Sequence, residues 1–298
     1  MRSYWPMLLL LAAMWGASYL FIKVAVEDIP PAAMTDLRLA IAAVLLSAYL
    51  ISTTGRAALT ELRRAWVPCL VLGIINAALP MTLVAWGETH IDSSIAGIAQ
   101  ASVPIFVAIL GLRFLPHDPL RGGQMIGLAI GLSGVALVTG VHPDGGWWAV
   151  AGTFAVVLSS LSYASGGIYG QLRVHETPGP VLAAGSMIAG AVVLLPFAIA
   201  DPPTQSPGTT ALAGLLALAL IPTFLGQLLL FRMLRLFGSR KLSLVTFLMP
   251  GFAVVYGAVL LDEPVSAAAL AGLVLILAGV MLASGQRLFG MRAQEEPA

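Results

Sequence analysis

Read from its start, the sequence alternates between long apolar runs and short polar breaks. Ten runs stand out, at about 5–25, 33–52, 67–86, 94–114, 120–140, 147–170, 181–200, 211–231, 241–261 and 267–286. Each is near the roughly 20 residues that an α-helix needs to cross the hydrocarbon core of a bilayer. The breaks carry turn chemistry, as in Ser52-Thr53-Thr54-Gly55, His142-Pro143-Asp144-Gly145-Gly146 and Asp201-Pro202-Pro203, where proline sets φ and glycine permits positive φ. Apolar positions are continuous within each run and do not alternate at period two, which excludes a transmembrane β-barrel. The first run reads as an uncleaved helix, because no small-x-small site closes it and Lys23 stands at its far end. The pattern predicts an all-α polytopic membrane protein with no soluble domain and no long linker.

Composition agrees and the charges add an orientation. Of 298 residues, 59% are hydrophobic and 10% charged, against about 25% charged in an ordinary soluble domain. A net charge of +1 speaks against a nucleic-acid partner, which calls for a basic face. The single Cys69 excludes an intrachain disulfide and a Cys-rich metal site. With the N-terminus in the cytoplasm, the cytoplasmic segments hold Arg2, Arg56, Arg63, Arg64, Arg113, Arg121, Arg173, Arg232, Arg235, Arg240, Lys241, Arg287 and Arg292. That is 13 of the 15 basic residues, a steep positive-inside bias. Glu27, Asp28, Glu88, Asp92, Asp144, Asp201, Asp262 and Glu263 fall on the other side. Both termini are expected in the cytoplasm, in an inner or plasma membrane.

The chain also repeats itself. At an offset of 146, Pro104 meets Pro250 and Gly111 meets Gly257; at 145, Pro119 meets Pro264, Gly127 meets Gly272, Gly134 meets Gly279 and Gly140 meets Gly285. Upstream, an offset of 147 pairs Ala17-Ser18 with Ala164-Ser165 and Pro31 with Pro178. The expected units are 1–140 and 147–286, with 287–298 as a cytoplasmic tail. Five helices per unit force the second to enter from the opposite side, so the prediction is two inverted five-helix repeats. Such repeats place a site near the midplane and alternate its access.

Trp15-Gly16 with Lys23 in the first span, Arg38 in the second, Pro104 in the fourth, Pro250 followed by Asp262-Glu263-Pro264, and Gly272 with Gly279 in the last resemble the EamA-type, ten-helix branch of the drug/metabolite transporter superfamily. The resemblance covers nearly the whole chain. It implies a secondary transporter, often an exporter of amino acids or other small metabolites. It further implies that spans one to four and six to nine line a central cavity, with five and ten outside. The second repeat departs from the pattern, setting Ser162, Gly170 and Gly185 opposite Trp15, Lys23 and Arg38.

Polar and aromatic residues deep in the spans are the candidates for handling a substrate, since lipid penalises them. Trp15, Ser18 and Tyr19 share one face of span one at i, i+3 and i+4. Asn76, Gln100, Tyr163, Gln227, Thr246 and Tyr256 lie inside spans three, four, six, eight and nine, as do Ser159 and Ser160 in span six. The competing reading is helix–helix hydrogen bonding, strongest for Ser and Thr, which can bond their own i−4 carbonyl. Trp5, Trp86, Trp147 and Trp148 sit near span ends and fit an interfacial belt. Prolines 80, 104, 222 and 250 interrupt spans; the matched pair Pro104 and Pro250 is expected to supply hinges. Lys23, Asp36 and Arg38 are the ionisable residues within spans, expected at an outer gate or, for Lys23, snorkelling or pairing with Asp36. Gly123, Gly127 and Gly131, spaced by four, mark close packing against span ten or a second protomer.

No G-x-x-x-x-G-K-[S/T], H-E-x-x-H or G-x-S-x-G occurs, and all four histidines fall in loops. Neither an enzyme nor a cofactor is expected. A midplane without Asp, Glu or His suits a neutral or zwitterionic solute such as an amino acid. The rivals are a carrier for drugs or nucleotide-sugars, a passive channel and a non-transporting scaffold. Membrane lipid is the surrounding partner, and self-association stays open.

Overall fold

In lipid, a chain must satisfy its own backbone, and an apolar run does so as a helix. The computed structural model describes residues 4–55, 57–114, 122–140, 146–174, 177–242 and 244–283. Among them the runs become α1 (Tyr4–Ala25), α2 (Pro31–Thr54), α3 (Trp66–Glu88), α4 (Ser93–Phe114), α5 (Gly122–Gly140), α6 (Gly146–Arg173), α7 (Gly179–Ala200), α8 (Thr209–Gly238), α9 (Val245–Leu260) and α10 (Ala267–Ala283). All but α5, α9 and α10, which are shorter apolar helices, are long and apolar enough to cross a membrane by length and composition. A short polar helix, Ala57–Arg64, joins α2 to α3. The expected tail 287–298, Arg2, Arg56, Pro119, Arg121 and the loop 141–145 lie outside the described residues.

Local signals account for several helix starts. Pro31 and Pro180 open α2 and α7 in the first turn, where a missing N–H costs nothing. Pro30 and Pro178 hold the residue just before, with extended ψ of 144° and 131°. The second helices of the two halves therefore match Pro30 with Pro178, one residue away from the register that paired Pro31 with Pro178.

Packing between helices follows the inverted repeat. α1 lies on α9 as α6 lies on α4; α3 lies on α6 as α8 lies on α1; α3 lies on α7 as α8 lies on α2. The pairs α2–α7, α4–α9 and α5–α10 each map onto themselves when the halves are exchanged. The fold is thus a ten-helix bundle of two inverted five-helix repeats. Small residues permit the closest crossings: Gly97 on α4 meets Ala253 on α9, and Gly16 on α1 meets Phe252. α5 and α10 pair outside the others through Gly131 and Gly134 against Gly279 and Gly272. Of the expected glycine stripe, Gly123 has open space around it; Gly127 and Gly131 face α10. Large apolar side chains such as Trp147, Val192, Ile199 and Val259 are well exposed, as a lipid-facing surface requires.

Candidate functional site

A cavity of about 310 Å³ lies between the two halves. Its wall is drawn from α1, α2, α3 and α4 of the first half and α6, α8 and α9 of the second. α5 and α10 contribute nothing to it, as the resemblance implied; α7, which the same resemblance placed at the cavity, contributes nothing either.

Two wide turns shape this wall. In α3, Gly73–Ala78 takes the i→i+5 pattern, with Leu79 N–H reaching back to Ile74 O. That leaves Ile75 O free, and Ser162 Oγ on α6 donates to it at 2.6 Å. In α8, Ala219–Leu225 widens in the same way around Pro222. Proline lacks the N–H that an α-helix would send to Leu218 O; the Thr223 hydroxyl donates to that carbonyl instead, at 2.7 Å. The Thr223 oxygen in turn accepts Arg38 Nε at 2.8 Å. A proline on one half thereby fixes a hydroxyl that holds an arginine of the other. Wide turns of this kind recur at functional sites in helices. Pro80 and Pro222 mark them here. Pro104 stands at the start of the second segment of α4, after a turn at Ala101-Ser102, and Pro250 stays inside a continuous α9. Neither Pro104 nor Pro250 lines the cavity.

Of the residues singled out from the sequence, Trp15, Ser18, Tyr19, Asn76, Gln100, Tyr163, Gln227 and Thr246 line the cavity. Tyr256 does not; its ring leans on Phe252 of its own helix, 6.1 Å between centroids. Gln100 and Thr246, at the same register of the two repeats, both line the cavity. Gln100 is also pinned to α6: its Oε1 accepts Ser159 Oγ at 2.9 Å and its Nε2 donates to Ser160 Oγ at 3.1 Å. Asn76 nests against Gly166 of α6, where any side chain would strike its amide.

The three ionisable residues expected at one outer gate share no hydrogen bond or ion pair among the described residues. Arg38 lies seven residues into α2, about 10 Å below its start, and lines the cavity. A cavity wall expected to be neutral therefore carries a cation. Asp36 is buried, with no partner for Oδ1 among the described residues. Lys23 does not pair with Asp36; its Nζ donates to Glu88 O at 2.9 Å and Ile91 O at 2.8 Å, closing the carboxyl end of α3, where the helix dipole favours a cation.

Two acids expected among the outer loops turn out to be buried. Glu88 is fully enclosed, and neither carboxyl oxygen has a partner among the described residues. Glu263 of the Asp262-Glu263-Pro264 motif accepts Ser93 N–H at 2.7 Å and Ser94 N–H at 2.9 Å, capping the positive end of α4 from the other half. Asp262 makes this reach possible with φ of 53°, a left-handed turn that Asp tolerates. At the same end, Asp28 Oδ2 accepts Gly208 N–H at 2.8 Å, a further tie between halves. The sequence signal was present in the paired acids before a proline, but nothing in spacing said which helix end they would meet.

Comparison with known proteins places this architecture among transporters. The model of the EamA-like transporter family matches residues 3–140 and 150–285. An "Uncharacterized transporter" of Archaeoglobus fulgidus is 26% identical over 95% of this chain and 99% of its own length. A "Probable amino-acid metabolite efflux pump" of Salmonella typhimurium is 25% identical over 96% of this chain and 95% of its own. A solved crystal structure superposes with a TM-score of 0.66 at 19% identity, covering 95% of this chain and 97% of that one, a likeness of fold alone.

Proposed function

The chain belongs to the EamA-like transporter family, and from that premise we propose that it is a secondary carrier exporting small metabolites, amino acids first, across the inner membrane by alternating access. The observation that carries the reading is the cavity of about 310 Å³ walled by both halves, near the lower end of the size range of small-molecule sites. Its aromatic faces (Trp15, Tyr19, Tyr163) and amides (Asn76, Gln100, Gln227) suit a zwitterion with an apolar side chain. Relatives named as probable amino-acid metabolite efflux pumps favour the same class. The distribution of basic residues supports cytoplasmic termini, with the Lys23 and Glu263 end as the outer one. Lys23 then acts there as part of the gate, and the wide turns at Pro80 and Pro222 join Pro104 and Pro250 as the places where α3, α8, α4 and α9 bend.

The test is flux. In proteoliposomes the protein should accelerate equilibration of labelled amino acids with saturation and counterflow. Ser18→Trp, which fills the cavity from α1, should slow this at least tenfold. Unsaturable flux, or a rate indifferent to Ser18→Trp, would contradict the reading.

A further inference from the structure

We propose that Arg38 is the anion subsite of this cavity, receiving the carboxylate of the transported solute on Nη1 and Nη2; this rests on reading the cavity as the transport site. Arg38 is 7% exposed, in a protein whose surroundings penalise an unpaired cation. Its one hydrogen bond among the described residues is from Nε to Thr223 Oγ1. That bond uses one of five N–H donors and a neutral acceptor. The outer edge of the guanidinium, with the geometry that matches a carboxylate in a two-pronged bond, is left to the cavity.

No acid of the chain takes that edge among the described residues. The ion pair found among them is the exposed Arg64–Glu61. Asp36 lies two residues back on α2, and residues so spaced do not face each other on a helix. Glu88 is near enough for its field to reach Arg38, yet it forms no ion pair with it and its own oxygens are unpartnered. Tyr19 and Tyr163, one from each half, are the other polar neighbours in its field. They can donate to a bound anion but cannot neutralise the cation. An arginine buried in a membrane protein, held in position by a dedicated hydroxyl and forming no ion pair among the described residues, is completed by a ligand that brings an anion. A single cation among aromatic and amide walls matches a monoanion. A phosphate dianion would set a second charge against groups that cannot compensate it.

Binding to the purified full-length protein tests this, using phenylalanine, phenylalaninamide, 3-phenylpropionate, phenethylamine and inorganic phosphate as probes. Phenylalanine and 3-phenylpropionate should each bind at least about tenfold tighter than the amide and the amine. Arg38→Gln should erase that ratio while the amide binds as before. Arg38→Lys, which keeps the charge and the packing stem, should retain a ratio several-fold smaller; it also serves if the glutamine variant does not fold. A ratio unchanged in either variant, a preference for the amide, or phosphate binding tighter than the carboxylates would overturn the proposal. An Arg38-dependent carboxylate preference in a protein that moves no amino acid would leave the subsite standing and remove the export reading. Equal transport of phenylalanine and its amide would do the reverse.

Discussion

Gly111 and Gly257 occupy the same register of the two repeats and differ in their neighbours among the described residues. Around Gly257 the carboxylate of Glu263 fills the space that a methyl group would need, and that carboxylate is bound to the first amides of α4. A Cβ added at Gly111 would meet nothing within 4 Å among the described residues. The repeat sets the same glycine at both ends of the bundle, but only one is in use as a socket among the described residues. Asp118, the counterpart of Glu263 by the Pro119–Pro264 match, lies outside them. A two-ended carrier closes one end at a time, so whether Gly111 takes up a carboxylate as Gly257 does is the question to test.

The comparison breaks most sharply at Glu263. Glu263→Ala removes the acceptor of two charge-assisted bonds and strands the buried amides of Ser93 and Ser94. The expected loss is about 2–4 kcal/mol of unfolding free energy, measured by denaturant titration of the purified protein in detergent. Glu263→Gln keeps one neutral acceptor and should lose about half as much. Equal stability of wild type and Glu263→Ala would mean that the α4 end is not held by this group. A smaller effect is expected at the socket itself. Gly257→Ala pushes a methyl group against the carboxylate, at an overpacking cost of about 1–3 kcal/mol, and the two variants should not add, because each disturbs the same contact.

Much of this was legible in the chain. Apolar run length and the sorting of 13 basic residues require no tertiary information, since a helix in lipid satisfies itself. The cavity-facing residues were legible for a related reason: Trp15, Ser18, Tyr19, Asn76, Gln100, Tyr163, Gln227 and Thr246 are the polar and aromatic groups that lipid would penalise, and all meet one space. Tyr256 was not separable from them, because an aromatic ring can rest on a neighbour such as Phe252 as well as face a cavity. The wide turns were not foreseen. Matching positions drew attention to Pro104 and Pro250 as hinges, whereas the wide turn of α8 surrounds Pro222, with the Thr223 hydroxyl donating to Leu218 O. What the sequence could not show was the holder of Arg38, because Thr223 on α8 is 185 residues away. Glu88 and Glu263 were read as loop acids because burial at a helix end depends on which helix arrives there.

The smallest expected effect sharpens the comparison by its sign. Gly111→Ala adds a methyl group that meets nothing within 4 Å among the described residues, inside the helical segment Val103–Phe114. Alanine also restricts the unfolded chain and favours the helix, by up to about 1 kcal/mol relative to glycine. Stability should therefore be unchanged or slightly higher, against the loss predicted for the same substitution at Gly257. If the first-half glycine also becomes a socket when the bundle opens at the other end, Gly111→Ala should slow transport several-fold while leaving stability intact. Slow flux in a stable protein would then assign Gly111 to the second state of the cycle. Unimpaired flux would mean that the two ends close by different contacts, and that the shared glycine is a relic of the repeat.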